Sequence, residues 1–255
     1  MEGLSVQNIN KSFSSHQVLK DVSFSVKKGE FVSIIGKSGC GKTTLFNIIA
    51  GLEKPDSGDI ILDGIKITQK AGQVSYMLQK DLLFPYYTIL DNVSLPLVIK
   101  GKRKSQARNT ADKFFRDFGL EGCQKLYPGE LSGGMRQRAA LLRTYLSSKK
   151  VTLLDEPFSA LDMLTKSQMH EWYLATVEKL GLTTILITHD IEEAILLSDR
   201  VLVLEKVSEL PSGCKSNLIR EIKVIQPRTQ RKDFPFTPEF LELKQEIRRA
   251  VLPEE

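Results

Sequence analysis

FVSIIG, residues 31–36, runs as a short β-branched strand straight into Gly36-Lys37-Ser38-Gly39-Cys40-Gly41-Lys42-Thr43. A helix over 43–50 follows and stops at Gly51. No other stretch narrows the possible folds so far. Two glycines, a lysine and a hydroxyl residue at this spacing, with a strand before and a helix after, predict a phosphate-binding loop. Backbone N–H groups from Gly36 to Thr44 and the positive end of the helix would cradle the phosphates. Lys42 would neutralise the outer phosphates, and Thr43 Oγ would ligate Mg2+. Cys40 holds a middle position whose backbone matters, and no redox role is expected of it.

The rest of the chain supplies a sheet around that loop. VTLLDE, 151–156, and TTILIT, 183–188, read as buried strands, and 200–205 as another. Helices over 163–180 and 190–198 alternate with them, which argues for a mainly parallel sheet with right-handed crossovers. Residues 4–9 and 18–26 alternate apolar and polar as half-exposed strands do, and 59–77 reads as short strands with turns. From about Asp81 to Ser148 the pattern turns helical, over 88–99, 104–118 and 133–147, as an insertion into the core. In the tail, Pro227, Pro235 and Pro238 break regular structure. Thr237 then caps a C-terminal helix, about 238–251, with Phe240, Leu243, Ile247 and Val251 on one face. A single domain, 1–255, is expected to hold all of this.

The strand ends place chemistry. Asp155 closes its strand where it would hold Mg2+, directly or through water, and Glu156 is free to take a proton from an attacking water. His189 follows TTILIT at the edge where parallel sheets carry their sites, and is read as a γ-phosphate contact. Gln79, between the small strands and the helical block, is a neutral candidate ligand for Mg2+ or water. LSGGMRQRAALLRTYL, 131–146, adds a puzzle. Ser132 reads as a helix N-cap, yet Gly133 and Gly134 in the first turn cost about 1 kcal/mol each relative to alanine. Glycines there let N–H groups approach a phosphate, and the loop at 36–43 already accounts for one.

Composition removes several classes. The 36 Lys and Arg exceed the 31 Asp and Glu by a mild +5. Lys100, Lys102, Arg103, Lys104 and Arg108 cluster with no acid among them; the cluster reads as a solvated helix start, with contact to nucleic acid or anionic lipid as the sharper alternative. Cys40, Cys123 and Cys214 are isolated, which suggests neither disulfides nor zinc. No apolar run reaches the roughly 18 residues of a membrane span, and MEGLSVQNINKSF lacks the apolar region of a secretory signal. A cytoplasmic location is expected.

With these pieces in order, the chain resembles the ATP-binding subunit of an ABC transporter over nearly its full length. The resemblance rests on GKSGCGKT as Walker A, the Gln79 loop, the signature LSGGM, VTLLDE as Walker B, the D-loop Ser159-Ala160-Leu161-Asp162, and His189 in ITHD as the switch. It implies an α/β P-loop NTPase with a mainly parallel core sheet, an antiparallel β subdomain and an inserted α-helical subdomain. It implies that Phe13 stacks on adenine, where the family usually has Tyr. Glu156 would be the general base, His189 the γ-phosphate sensor, and Asp162 would sit at the contact between subunits. Leu131, Ser132, Gly133 and Gly134 would then serve a second subunit's ATP, so that two copies close head to tail around two Mg·ATP. The Gln79 loop and the LLFPYYTIL face would receive a coupling helix from a permease.

FSALDMLTK, THDIEEAILLSDRVLVL and the tail resemble one importer branch, serving nitrate, sulfonate, taurine and thiamine-precursor uptake. That implies a peripheral place on the cytoplasmic face of the cell membrane. It implies integral permease subunits as partners, indirectly an extracytoplasmic solute-binding protein, no nucleic acid, and no large regulatory domain beyond Asp199. DNA-repair and chromosome ATPases of the superfamily carry coiled coils or zinc-binding cysteines between the Walker motifs, and the 107 residues between Thr43 and Val151 hold no heptads or cysteine pairs. Translation factors hold two ATPase units in tandem, and this chain holds one. Intact Lys42, Asp155, Glu156 and His189 argue against a binding-only module.

Overall fold

The computed structural model describes residues 2–14, 16–147, 149–210, 213–231 and 233–252. Ser148, the expected end of the helical block, and the outermost residues of the expected 1–255 domain lie outside them.

The described strands are β1 (Glu2–Phe13), β2 (His16–Lys27), β3 (Phe31–Ile35), β4 (Ser57–Leu62), β5 (Ile65–Lys66), β6 (Ser75–Met77), β7 (Val151–Asp155), β8 (Thr183–Ile187), β9 (Arg200–Leu204) and β10 (Leu218–Lys223). The helices are α1 (Lys42–Ile49), α2 (Ile89–Ile99), α3 (Lys104–Asp112), α4 (Gly133–Ser147), α5 (Met163–Leu180), α6 (Ile191–Leu197) and α7 (Pro238–Val251). The larger sheet has the order β10-β9-β3-β8-β7-β6 and is parallel except for β10. β3, β7 and β8 are buried at every residue, which is why none shows the apolar–polar alternation of a half-exposed strand. The smaller sheet, β2-β1-β4-β5, is antiparallel. No described helix is long and apolar enough to cross a membrane.

Three core clusters tie the layers together. Leu4, Val22, Ile34 and Phe46 belong to the cluster that joins the two sheets and α1. Burying a side chain such as that of Phe46 contributes about 2–3 kcal/mol. Phe31, Phe118, Leu142 and Tyr173 belong to the cluster that binds the helical insertion to the sheet. Phe234, Phe240 and Ile247 carry the tail onto α6 and β9. Thr237 Oγ1 accepts the Phe240 N–H at 3.3 Å and so caps α7.

Four features differ from the sequence reading. β6, grouped above with the short strands of 59–77, pairs parallel with β7 and belongs to the core sheet. The helix expected over 104–118 ends at Asp112, because the Phe114 and Phe115 N–H groups tighten onto the carbonyls of Ala111 and Asp112, both at 3.1 Å. That tightening accompanies the burial of Phe115 and Phe118, the latter packed on Tyr145 and Trp172. β10 escaped notice because only Ile222 in it is fully buried, so no face shows in the sequence. The basic cluster is partly structural: Arg108 forks onto Asp91 at 2.8 and 2.7 Å, Lys104 stands 3.3 Å from the same carboxylate, and Lys100 Nζ donates to the Ser147 carbonyl.

Candidate functional site

The loop after β3 is shaped by what surrounds it. A Cβ on Gly36 would lie 2.0 Å from the Leu204 carbonyl oxygen. Gly41, at φ +101°, is in the left-handed region, and a Cβ there would meet Leu19 Cδ2 at 2.8 Å. The backbone therefore packs where no side chain fits, and delivers Lys42 to the first turn of α1. Lys42 Nζ donates to the carbonyls of Gly36 and Lys37 at 2.7 and 3.0 Å. Thr43 Oγ1 donates to Asp155 Oδ2 at 3.2 Å. Asp155 is only 2% exposed, and burial pushes its carboxyl up to about 6; Thr43 opposes this and the charge of Glu156 adds to it. A carboxyl so placed beside a hydroxyl is the oxygen-donor set that a hard divalent cation takes, so the pair fits Mg2+.

Three loops converge on Glu156. Its φ is +51°, and its N–H donates to the Ile187 carbonyl at 2.9 Å, which ties it to β8. Gln79 Nε2 donates to its Oε2 at 3.3 Å, and His189 Nδ1 lies 3.3 Å from its Oε1. These groups line one cleft of about 550 Å3 together with Phe13, Gly36, Ser38, Gly39, Gly41, Lys42, Thr43, Thr44 and Asp155. His16, Val18 and Ile187 complete its wall and had no signal in the sequence reading. Two loop residues are not among its lining. Lys37 Nζ pairs with Glu209 at 2.7 Å, and Cys40 is buried, its thiol pushed up by that burial. Phe13 is 46% exposed, with Lys11 Nζ 4.8 Å from its ring centroid.

Leu131, Ser132, Gly133, Gly134 and Asp162 do not line that cleft. Ser132 Oγ accepts the Met135 N–H at 3.3 Å and caps α4. The two glycines differ: a Cβ on Gly133 meets only the end of Arg136 at 3.9 Å, whereas one on Gly134 meets Ala160 O and Leu161 Cδ2 at 3.2 Å. Gly134 thus packs inside its own chain, and Gly133 is the open one. Leu131 is buried, and its carbonyl accepts from Arg136 at 2.8 Å. Asp162 Oδ1 accepts the Thr165 N–H at 3.0 Å, which caps α5 and lowers its carboxyl.

Gln137 is the polar group the sequence reading passed over. It is buried, and its Nε2 donates to the Glu156 carbonyl at 2.8 Å and to Ser159 Oγ at 3.2 Å. Its Oε1 accepts the Ala160 N–H at 2.9 Å. The available signal was a glutamine in step with Leu141 and Thr144, on the buried stripe of α4.

Comparison with known proteins matches this geometry to a family. The model of the ABC transporter family matches residues 19–159. The formylaminopyrimidine import ATP-binding protein ThiZ of Halalkalibacterium halodurans is 50% identical over 203 residues, 79% of each chain. The chain belongs to the ABC transporter family. The aliphatic sulfonates import ATP-binding protein SsuB of Bacillus cereus is 39% identical over 253 residues, 98% of this chain and 94% of that protein. MJ0796, solved as the dimer of a bacterial ABC transporter cassette, shares the fold with a TM-score of 0.78 and 30% identity, over 88% of this chain and all of that one. As an ABC transporter ATPase, the chain binds and hydrolyses ATP.

Proposed function

We propose that this ABC ATPase powers an importer as a nucleotide-sandwich dimer. One observation carries the reading: the cleft gathers the phosphate loop, Asp155, Glu156, Gln79 and His189, and leaves Leu131 to Gly134 outside it. ATP held in the cleft then has one side free for the capped helix start of a second copy. Ser132 Oγ and the N–H groups at Gly133 would complete the phosphate contacts there, with Asp162 at the same contact. The dimeric forms of MJ0796, one of them holding ADP and Pi, support this arrangement.

Each residue has a task in hydrolysis. Phe13 offers its ring to adenine. Lys42 and the loop N–H groups hold the β- and γ-phosphates, and Glu156 accepts the proton of the attacking water. Gln79 and His189 fix the Glu156 carboxylate from two sides, and His189, largely exposed, also reaches the γ-phosphate. Mg2+, held by Thr43, Asp155 and Gln79, would supply charge neutralisation at the phosphates. Closure does work only because ATP favours the closed dimer over the open one.

The permease would dock beside the Gln79 loop. Leu82, Phe84, Tyr86 and Tyr87 are exposed there, Tyr86 at 91%. Arg143 holds the carbonyls of Asp81 and Leu82 at 2.6 and 2.8 Å, which links that face to α4. Of the nitrate, sulfonate, taurine and pyrimidine-precursor solutes expected for this branch, the names of ThiZ and SsuB support the pyrimidine-precursor and sulfonate classes. The subunit would act on the cytoplasmic face of the membrane, fed indirectly by an extracytoplasmic solute-binding protein.

Mixing two dead variants tests the sandwich. Ser132→Arg and Lys42→Ala homodimers should each be inactive. Their mixture should recover about a quarter of wild-type hydrolysis, since half the dimers carry one intact site of two. No recovery on mixing, with each variant still binding its partner, would place the whole site in one chain.

A further inference from the structure

We propose that Glu193, acting with Thr188 and Lys166, is a positioning residue for His189: it holds the backbone on both sides of that residue so that the imidazole stays against Glu156. Its effect on hydrolysis rests on the reading of His189 as a γ-phosphate contact. The His189 side chain is 67% exposed, and among the described residues its one polar contact is Glu156 Oε1 at 3.3 Å. Its direction is therefore set by its backbone, which is tied through its two neighbours. Thr188 is buried just after β8, where its hydroxyl donates to Glu193 Oε2 and accepts the Asp190 N–H at 3.1 Å. Asp190 Oδ1 accepts the Glu193 N–H at 3.1 Å and so caps α6, while its Oδ2 accepts from Lys166 Nζ on α5 at 2.6 Å.

The spacing of these residues promises something simpler. Asp190 and Glu193 stand as in a capping box, in which the glutamate reaches back to the N–H of the capping residue. Here that N–H goes to Thr188, and Glu193 reaches it only through the Thr188 hydroxyl. A hydroxyl can donate and accept at once, so Thr188 serves as the relay between the two. The other carboxylate oxygen of Glu193 faces α5, with Oε1 2.9 Å from His170 Nε2 and 3.6 Å from Lys166 Nζ. A cap alone needs none of this, as Asp162 on α5 and Thr237 on α7 show.

Burial explains why the whole set is required. Glu193 is 4% exposed, and a carboxylate taken from water destabilises the fold unless it is paired and hydrogen-bonded. Burial also pushes the Asp190 carboxyl up, yet Lys166 and the Glu193 N–H outweigh it and hold that carboxyl below the usual range. Lys166 thus serves both acids, and residues 188–190 are strung between α5 and α6. His189 can swing away from Glu156 by its backbone only if bonds break on one side of it or the other.

Two measurements on the full chain test this. Thr188→Val keeps the shape and removes the relay, so kcat should fall about tenfold while KM for ATP stays within about twofold; Thr188→Ser should restore most of the loss. On a His189→Ala background Thr188→Val should cost nothing further, since nothing is left to position. Losses that multiply on that background, or a Thr188→Val chain with normal kcat, overturn the proposal. Nitrogen NMR of histidine-labelled, nucleotide-free chain reads position without turnover. Lys166→Met, on a different helix, should shift or broaden the His189 ring signals and leave those of His16 in place. Unmoved His189 signals overturn the positioning role. Moved signals, with His189→Ala still hydrolysing at the wild-type rate, confirm the positioning and refute the γ-phosphate reading.

Discussion

Gln137→Ala removes three hydrogen bonds at once from the joint between α4 and the loop that carries Glu156. Each is worth about 1 kcal/mol net. Ser159 and Ala160 are exposed and regain water, and the Glu156 carbonyl keeps the Ser159 hydroxyl at 3.0 Å. The stability loss should therefore be about 2–3 kcal/mol rather than more. The effect on chemistry should be larger. A non-glycine residue in the left-handed region is held there against a cost of order 1 kcal/mol, and for Glu156 the clamps are Ile187 on its N–H and Gln137 on its C=O. With one clamp gone, the carboxylate leaves its position between Gln79 and His189, and turnover should fall at least about tenfold. The phosphate loop is untouched, so ATP affinity should change less than about twofold. Gln137→Glu should not rescue, because a carboxylate cannot donate to the Glu156 carbonyl. Urea unfolding followed by circular dichroism gives the first number, and steady-state hydrolysis with a fluorescent ATP analogue gives the others. An unshifted midpoint with normal turnover refutes the clamp. So does a loss of turnover matched by an equal loss of ATP binding.

Three further outcomes follow from named contacts. Gly36→Ala should abolish ATP binding in equilibrium dialysis, because its Cβ would stand 2.0 Å from the Leu204 carbonyl oxygen and 2.8 Å from Cys40 Sγ. Arg108 and, less strongly, Lys104 hold the Asp91 carboxyl below the usual carboxylate range, against the effect of burial. A lowered folded value stabilises above the unfolded pKa and is lost as pH falls through the folded one, so Asp91→Asn should cost about 1–2 kcal/mol at pH 7, a difference that starts to shrink below about pH 4 and closes only once pH has passed the lowered folded value. Asn92 is fully buried and ties the carbonyls of Phe84, Tyr87 and Thr88; Asn92→Ala should keep hydrolysis by the free subunit and lose its stimulation by permease in reconstituted vesicles.

How much was legible depended on whether a residue's signal was local. The strand-loop-helix at 31–50 and the strand ends at Asp155 and His189 were readable because fully buried parallel strands show as mainly apolar runs and their ends carry polar residues. The order β10-β9-β3-β8-β7-β6 was not readable, since β6 pairs with a strand some 75 residues away, across the whole helical insertion. β10 was silent because an edge strand with one fully buried residue has no face to display. Phe115 and Phe118 look helical by spacing, and tertiary packing on Tyr145 and Trp172 overrode that spacing. Gln137 and Glu193 were invisible for a different reason: a buried polar residue is defined by its partners, and those lie on other elements. The LSGGM glycines were read as a pair; their separation into one packed and one open depends on where Ala160 comes to lie.

Whether ATP sits between two chains is decided by the mass of the Glu156→Gln variant in millimolar Mg·ATP, measured by light scattering on a sizing column. A sandwich gives twice the 28.7 kDa of the chain, and adding Ser132→Arg returns it to a single mass with ATP still bound. A Glu156→Gln chain that holds ATP at the single mass, or a Ser132→Arg chain that cannot bind ATP alone, contradicts a site shared between copies.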